Sequence, residues 1–239
     1  HHLLDVASPK RQFSVSDYKK LATKKIEDIL TRKKVPIIAG GTGFYIDSLI
    51  SGAEYPEVPP NKKLRSILEK KTTTELFKIL QEHDKKRAAT IDAKNKVRLV
   101  RAIEIAKHLG NVPAVTIVPR WSALQIGFML PREVLKEKIR TRLEKRIKGG
   151  MIREAKKLHE NGLNYKRMEM LGLEYRYEAR YLQGKITKAE MIEQLSSEIF
   201  QYAKRQETWF KRDKSIVWID PRKISQRKLA IKKITEFLK

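Results

Sequence analysis

The sequence predicts an α/β fold in which a core built on a parallel sheet carries a mostly helical insertion. The apolar stretch 35–39 is typical of a buried strand, and it runs through a Gly-Gly-Thr-Gly turn at 40–43 into a helix that begins near Phe44. A helix also precedes this strand, and alternating helices and strands are typical of parallel sheets covered by helices. Two later stretches, 125–130 and 216–219, have the same strand character.

The N-terminal elements follow from local patterns. Ser14 and Asp17 have the spacing of a capping box, and apolar residues at helical spacing continue from there to Leu30. After the glycine turn, a helix covers 46–50. The prolines of the segment 56–60 resist both helix and strand interiors, so a domain boundary is predicted there.

The boundary divides the chain into a core and an insertion. We assign 1–56 and 125–239 to the α/β core and 57–124 to a helical insertion domain. Within the insertion, the sequence Thr-Thr-Thr-Glu at 72–75 can cap one helix, and apolar residues over 97–106 predict another.

The second part of the core returns to strands and long helices. Pro131 is suited to opening a basic helix over 132–148, which Gly149 and Gly150 end. The remaining predicted elements are a strand over 125–130, helices over 152–161 and 188–211, a strand over 216–219 and a C-terminal helix over 229–238.

Composition excludes several kinds of site and favours a polyanionic partner. The 239 residues contain no Cys, which excludes disulfides and thiolate metal sites, and no apolar run is long enough to span a bilayer. Fifty-three Lys and Arg residues against 28 Asp and Glu give a formal net charge of +25. Nucleic acid is therefore the favoured partner, ahead of a membrane surface or a general solubility effect. We predict a cytoplasmic monomer.

The glycine turn is the first candidate site. Glycines let the backbone turn sharply and approach a ligand closely, and the following helix start presents unpaired N–H groups. No Lys follows the glycines, so the turn is not a Walker A loop. An ordinary strand-to-helix turn is the alternative interpretation.

Three basic segments are candidates for phosphate contact. The helix 132–148 is rich in Arg, although interleaved Glu residues also fit a solvated face. The segment 204–212 combines cations with Trp209 and Phe210, which could stack on bases or pack in the core. Arg98 and Arg101 share one helix face and could follow phosphates or form surface salt bridges. No metal-ligand spacing and no Ser nucleophile elbow is present.

Several motifs of the chain occur in the same order in one protein family. They are His1-His2-Leu3-Leu4-Asp5-Val6, Phe13-Ser14-Val15, Pro36 to Tyr45, Asn95 to Glu104, and Ala203 to Phe210. With these motifs the sequence resembles the tRNA dimethylallyltransferase family, also called tRNA isopentenyltransferases, over nearly its whole length.

The resemblance implies a fold, an activity and partners. The fold would be a P-loop-kinase-like parallel-sheet core with a helical insertion. The activity would be transfer of a dimethylallyl group from dimethylallyl diphosphate to the exocyclic amine of the adenosine just 3′ of the anticodon, within the tRNA anticodon stem-loop. The adenine would be flipped into a channel to meet the donor. Mg²⁺ would assist the loss of pyrophosphate, with its ligands mostly outside this chain.

The resemblance also implies roles for single residues. Thr42 matches a residue of the reaction channel that also contacts tRNA, and it lies among the loop glycines Gly40, Gly41 and Gly43. Arg142 matches an Arg of the basic helix and is assigned to the diphosphate. The other matches are implied tRNA contacts: Arg65, Arg98, Val100, Arg101, Ala102, Ile103, Glu104, Lys204, Arg205, Gln206, Thr208, Trp209 and Lys211.

The sequence departs from the family pattern in two places. An Ile/Val-Gly-Tyr segment is replaced here by 170–176, so Gly172, Tyr175 and Arg176 are expected to supply that tRNA contact. Family members also begin with a strand, a P-loop ending in Gly-Lys-Ser/Thr and a segment with the general-base Asp, none of which the 239 residues contain. We therefore expect the chain alone to be inactive while it keeps some affinity for tRNA.

Other functions compete with this one. A prenyltransferase that acts on free adenine nucleotides would share the chemistry, but it would not need so basic a surface. A non-catalytic RNA-binding remnant would fit the missing P-loop. A P-loop kinase of a small metabolite is supported by the predicted fold alone.

Overall fold

The computed structural model describes residues 1–239 and contains twelve helices and two short strands. In chain order these are α1 (Val15–Thr31), α2 (Gly43–Ile50), α3 (Lys62–Leu68), α4 (Thr73–His83), α5 (Lys85–Thr90), α6 (Lys96–Leu109), β1 (Ile126–Phe128), α7 (Arg132–Lys148), α8 (Met151–Glu160), α9 (Tyr165–Leu171), α10 (Leu173–Leu182), α11 (Lys188–Phe210), β2 (Val217–Ile219) and α12 (Ile224–Phe237). None of these helices has the length and apolar composition that crossing a membrane requires.

The chain forms two compact units. Unit 1 consists of His1–Leu49 together with Trp121–Lys239, and unit 2 consists of Ile50–Arg120. An antiparallel bridge between Glu54 and Thr116 holds the segment before the prolines within unit 2. For this reason the unit limits differ from the limits of 57 and 124 that the sequence suggests, and the assignment of 57–124 as an inserted domain stays a prediction.

The two strands form a small parallel sheet in unit 1. β1 pairs with β2 in the register Ile126 with Val217 and Phe128 with Ile219. Gly127 lies opposite Trp218, and a Cβ atom at Gly127 would stand 2.7 Å from the Trp218 ring, so only glycine leaves room for this ring. The strands predicted over 125–130 and 216–219 are confirmed at their centres.

The strand predicted over 35–39 is wrong as secondary structure. The segment is extended, but none of its backbone groups bonds to another part of the backbone. Strand assignment needs a hydrogen-bonded neighbour, and apolar composition alone cannot supply one. The side chain of Ile37 is 87% exposed, so the segment is not the buried strand that its sequence suggested.

Capping explains where several helices begin. Ser14 accepts from the amide of Asp17 while Asp17 accepts from the amide of Ser14, and Thr72 and Glu75 form the same reciprocal pair at α4. Both capping boxes were predicted. Gly149 ends α7 and Gly150, at φ 103°, separates it from α8, as expected for the glycine break. Helices α9 and α10 have no counterpart among the predicted elements.

Each unit has its own apolar core. In unit 2 the core joins α3, α4, α5 and α6 through Leu68, Leu76, Leu80, Ala88, Leu99, Val100, Ala102, Ile103 and Ala106. In unit 1, separate clusters lie among α7, α8, α10 and α11, among α8, α9 and α10, and between α1 and α2. The α1–α2 cluster fixes the helix that follows the glycine turn.

Candidate nucleic-acid interface

The glycine turn at 40–43 leads directly into α2. The carbonyl oxygen of Thr42 accepts from the amides of Tyr45 and Ile46, at 2.9 and 3.2 Å, so Thr42 stands where the helix begins. Its side chain is exposed. Tyr45 fixes the turn from the other side, since its ring stacks on Tyr18 at 4.6 Å and its hydroxyl donates to the carbonyl of Phe13.

The last turns of α11 hold the glycine turn and α2 in place. Gln206 Nε2 donates to the carbonyl oxygen of Gly41 at 2.8 Å, and Trp209 Nε1 donates to Asp47 Oδ2 at 2.8 Å. The Trp209 ring also meets Phe44 edge-on at 6.5 Å. These contacts join segments that lie more than 160 residues apart, which makes the turn and α11 one structural element.

Two of the three glycines of the turn lie close against side chains of α11. A Cβ atom at Gly41 would lie 2.1 Å from Gln206 Nε2, and one at Gly43 would lie 2.2 Å from Trp209 Cδ1. A Cβ at Gly40 would meet nothing within 4 Å. None of the three has a positive φ, so the sharp backbone turn expected of them is not what they provide.

Cations and aromatic rings alternate along one face of α11. The Arg212 guanidinium lies 3.9 Å from the centre of the Trp209 ring, and that of Arg205 lies 5.7 Å from the Tyr202 ring. Lys204 and Lys211 are exposed, and Lys211 pairs with Glu207 one turn back. A shallow pocket of about 370 Å³ on this face is lined by Gln201, Lys204, Arg205, Thr208, Trp209 and Arg212.

In unit 2, a buried carboxylate brings two of the predicted arginines together. Glu104 is only 2% exposed, and it accepts from Arg65 Nε and Nη2 at 3.0 and 2.8 Å, from Arg101 Nη1 at 2.7 Å and from the amide of Asn61 at 2.6 Å. Arg101 Nη2 donates in addition to the carbonyl of Val58 at 2.9 Å. We refer to Glu104, Arg65, Arg101 and Asn61 as the Glu104 cluster.

The charge state of the Glu104 cluster follows from these bonds. Burial by itself would raise the pKa of Glu104, but the hydrogen bonds from Arg65, Asn61 and Arg101 outweigh it and lower the pKa from 4.5 to about 2. The bond to Glu104 raises the pKa of Arg65. All three side chains are therefore charged at neutral pH, and together they carry one net positive charge.

The implied tRNA contacts on α6 fall into a buried group and an exposed group. Val100, Ala102 and Ile103 are buried in the core of unit 2, so their side chains have no surface to offer to RNA in this structure. This burial corrects their implied role as tRNA contacts, because the helical period turns these positions inward. Arg98 is exposed and Arg101 is half-exposed, so among the implied contacts on this helix they are the ones that can reach a phosphate.

The remaining predicted residues lie on other helices of unit 1. Arg142 is exposed on α7, and no contact joins it to the glycine turn. Tyr175 donates to Glu154 Oε1 at 2.7 Å, and burial together with this bond raises the pKa of the Tyr175 hydroxyl. Arg176 Nε donates to the carbonyl of Glu169 at 3.1 Å, and Gly172 separates α9 from α10.

One residue of this interface was not identified from the sequence. Asp47 receives the Trp209 bond, and nothing in its local pattern indicates a partner 162 residues away. Arg212 belongs to the segment 204–212 that the sequence indicated, and it lies just beyond the end of α11, where its guanidinium stacks on the Trp209 ring. No group of three or more His, Cys, Asp or Glu in residues 1–239 is arranged to hold a metal ion.

Known proteins are similar to this chain in sequence and in fold. The family model described as IPP transferase matches residues 1–213. The chain is 46% identical over 218 residues to tRNA dimethylallyltransferase 2 of Treponema denticola, covering 89% of this chain and 73% of that protein. A crystal structure of full-length tRNA isopentenylpyrophosphate transferase from Bacillus halodurans matches 99% of this chain and 77% of its own, with a TM-score of 0.68 and 30% identity.

A third known protein is similar to this chain in fold. A eukaryotic dimethylallyltransferase captured while acting on tRNA matches 98% of this chain and 64% of its own, with a TM-score of 0.78 and 23% identity. These structural matches confirm the predicted α/β fold class, although the sheet of this chain has only two assigned strands.

Proposed function

Since the chain belongs to the IPP transferase family, we propose that it transfers a dimethylallyl group from dimethylallyl diphosphate to the exocyclic amine of the adenosine just 3′ of the anticodon in tRNA. Membership of the family confirms the resemblance drawn from the motifs, and the activity is the one stated in the relatives' names. The choice of that adenosine and of that amine is the part that belongs to this proposal.

One observation carries the proposal furthest. The basic end of α11 is hydrogen-bonded to the glycine turn through Gln206 and Gly41, and to α2 through Trp209 and Asp47. A face that can hold an RNA backbone is thereby fixed next to the exposed side chain of Thr42. Such an arrangement suits an enzyme that must present one base of a large polyanion to a small donor.

The reaction is a substitution at the allylic carbon of the donor. The nitrogen of the adenine amine forms a bond to that carbon while the bond from carbon to the diphosphate oxygen breaks. Pyrophosphate leaves with the bonding electrons, and the amine loses one proton to a base. Fixed positive charge near the leaving group lowers the barrier, because negative charge develops on the departing oxygen.

Individual residues take the following roles in the proposal. Thr42 faces the flipped base, and Gln206 fixes the turn through one N–H of its amide nitrogen, which donates to the carbonyl oxygen of Gly41. Arg142 is proposed to contact the diphosphate. The RNA backbone is proposed to contact Arg65, Arg98, Arg101, Lys204, Arg205 and Lys211, with Thr208, Gly172, Tyr175 and Arg176 at its edges.

Mg²⁺ is the ion implied by the resemblance, and it would supply charge neutralisation of the diphosphate. Residues 1–239 contain no cluster of three His, Cys, Asp or Glu that could hold the ion by themselves. No step above therefore depends on a metal ligand of this chain. The monomeric state and the cytoplasmic location stay predictions.

A labelled-donor assay tests the proposal. The protein encoded by the whole gene is incubated with Mg²⁺, radiolabelled dimethylallyl diphosphate and a tRNA transcript with adenosine 3′ of the anticodon, or with the same transcript carrying guanosine there. We expect label only in the adenosine transcript, and no competition from excess AMP. Absence of label in both transcripts would contradict the activity, and preferential labelling of AMP would favour the nucleotide prenyltransferase.

A further inference from the structure

Glu104 occupies an unusual position for a residue in an RNA-binding helix. Its carboxylate lies inside unit 2 at 2% exposure, where it can contact no ligand, and its two oxygens accept from four donors. Removing a carboxylate from water is costly, and apolar residues of similar volume often stabilise a fold equally well. Stability alone therefore does not require an ionised group at this position, although its bonds to Asn61 and Arg65 also join α3 to α6.

The arginines of the Glu104 cluster are fixed along one edge and open along the other. Arg65 Nη2 and Arg101 Nη1 both donate to Oε2 of Glu104, so the two guanidinium groups lie next to each other. Their side chains are still 26% and 35% exposed, and Arg65 Nη1 and Arg101 Nε have no partner in the protein. The two groups are close enough for one phosphate to contact both.

We infer that Glu104 is a positioning residue that holds Arg65 and Arg101 as a rigid pair for a phosphate of the RNA backbone. The identity of that RNA as tRNA rests on the proposed function. An Arg side chain loses considerable freedom when it is ordered on binding, and the cluster removes that loss by ordering both side chains in the free protein. Planar guanidinium groups held in this way also match the geometry of phosphate oxygens.

The effect of removing the Glu104 charge on RNA affinity distinguishes a positioning role from a general effect of net charge. Replacement of Glu104 by Gln removes one negative charge, and a chain that is more positive by one would bind RNA more tightly if only overall charge mattered. Positioning predicts the opposite result, because a neutral amide holds two guanidinium groups weakly and its own NH₂ group opposes one of them.

The test measures the affinity of the chain for a tRNA transcript with adenosine 3′ of the anticodon, across salt concentrations. For Glu104→Gln we expect weaker binding, on the order of tenfold, and a salt dependence that is shallower by about one ion. In an Arg65→Ala, Arg101→Ala background, the same substitution should have no further effect. Glu82→Gln is the matched control, since it makes the same charge change at an exposed site of unit 2.

Three further variants guard against loss of folding. Arg101→Lys keeps the charge but replaces the planar fork, which bonds to Glu104 through Nη1 and to the Val58 carbonyl through Nη2, by a single nitrogen. We therefore expect weaker binding, whereas Arg87→Lys at an exposed site should bind normally. Ile79→Val, at a partly buried position packed against the core of unit 2, is expected to lower the melting temperature without touching the cluster. It should keep normal affinity well below its melting point.

The possible results separate this inference from the proposed function. Glu104→Gln and Arg101→Lys variants that bind as tightly as the parent chain, with the same salt dependence, would overturn the positioning role and leave the proposed function standing. A parent chain without affinity for tRNA would overturn this inference, while the labelled-donor assay on the whole protein would still decide the proposed function. If the parent chain binds tRNA, the Glu104→Gln and Arg101→Lys variants bind it more weakly, and the whole protein transfers no prenyl group, only the proposed function is overturned.

Discussion

At the scale of single residues, Glu178 is the clearest case of a group whose charge works against the fold. It is 1% exposed on α10, and its Oε1 atom has no hydrogen-bond partner. Its pKa is raised to about 7, mainly by burial and also by the nearby Glu154 and Glu174, while Arg146 opposes the rise. Near neutral pH this carboxyl is therefore divided between its neutral and its ionised form.

The sign of its effect on stability follows from the direction of this shift. A raised pKa in the folded state favours folding below pH 4.5, and that contribution is lost as the pH rises through about 7. We therefore expect Glu178→Gln to leave stability unchanged below pH 4.5 and to raise it by up to about 3 kcal/mol at pH 8.

Denaturant unfolding at several pH values measures this difference. Glu193→Gln, at an exposed position of α11, is the control and should show no such dependence on pH. A Glu178→Gln variant whose stability follows the parent chain at every pH would show that the carboxyl is not held in a destabilising environment.

Only the part of the site that depends on local sequence could be predicted. The cationic residues of 204–212 and the pair Arg98 and Arg101 were found from the sequence because charge and helical spacing are local properties. The bond from Trp209 to Asp47 and the bonds from Arg65 to Glu104 join residues far apart in the chain, and only the fold brings them together. A motif can therefore indicate RNA contact for Glu104 while the structure buries it.

At the scale of elements, helices were predicted better than strands for a physical reason. Capping by Ser14 and Thr72 and the glycine break at 149–150 depend on neighbours within a few residues. The segment 35–39 has the composition of a strand, but a strand exists only where another strand pairs with it. Its Gly-Gly-Thr-Gly continuation was recognised, although the glycines provide space rather than a special backbone conformation.

The packing of α11 on the glycine turn yields a prediction at this scale. Gly43→Ala would place a methyl group 2.2 Å from Trp209 Cδ1, and the Trp209 ring is held by Asp47 and cannot withdraw without losing that bond. We expect a loss of about 1–3 kcal/mol in the free energy of unfolding, the range typical of overpacked sites.

Gly40→Ala is the matched control for this substitution, since its Cβ would meet nothing within 4 Å and its φ is not positive. Urea unfolding of both variants makes the comparison. Equal stabilities for the two would mean that α11 and the turn do not pack as tightly as the distances indicate.

At the scale of the whole molecule, the net charge of +25 determines how the chain meets RNA. Binding that releases counterions from phosphates weakens steeply as salt is added. Six exposed or half-exposed cations are proposed phosphate contacts, so the affinity for tRNA should fall by about a thousandfold between about 50 and 200 mM salt. Fluorescence anisotropy with a labelled transcript measures this slope, and an affinity that hardly changes with salt would contradict a backbone-dominated interface.

The extended segment 35–39 has a consequence for the behaviour of concentrated solutions. Its backbone groups are unpaired and its apolar side chains face outward, with Ile37 at 87% exposure. An unpaired extended segment can pair with the same segment of another copy, so we expect this stretch to favour self-association along the edge that Pro36, which has no N–H, leaves available. Mutual repulsion between highly charged copies keeps them apart at low ionic strength. The salt that releases the RNA therefore also removes the protection against precipitation.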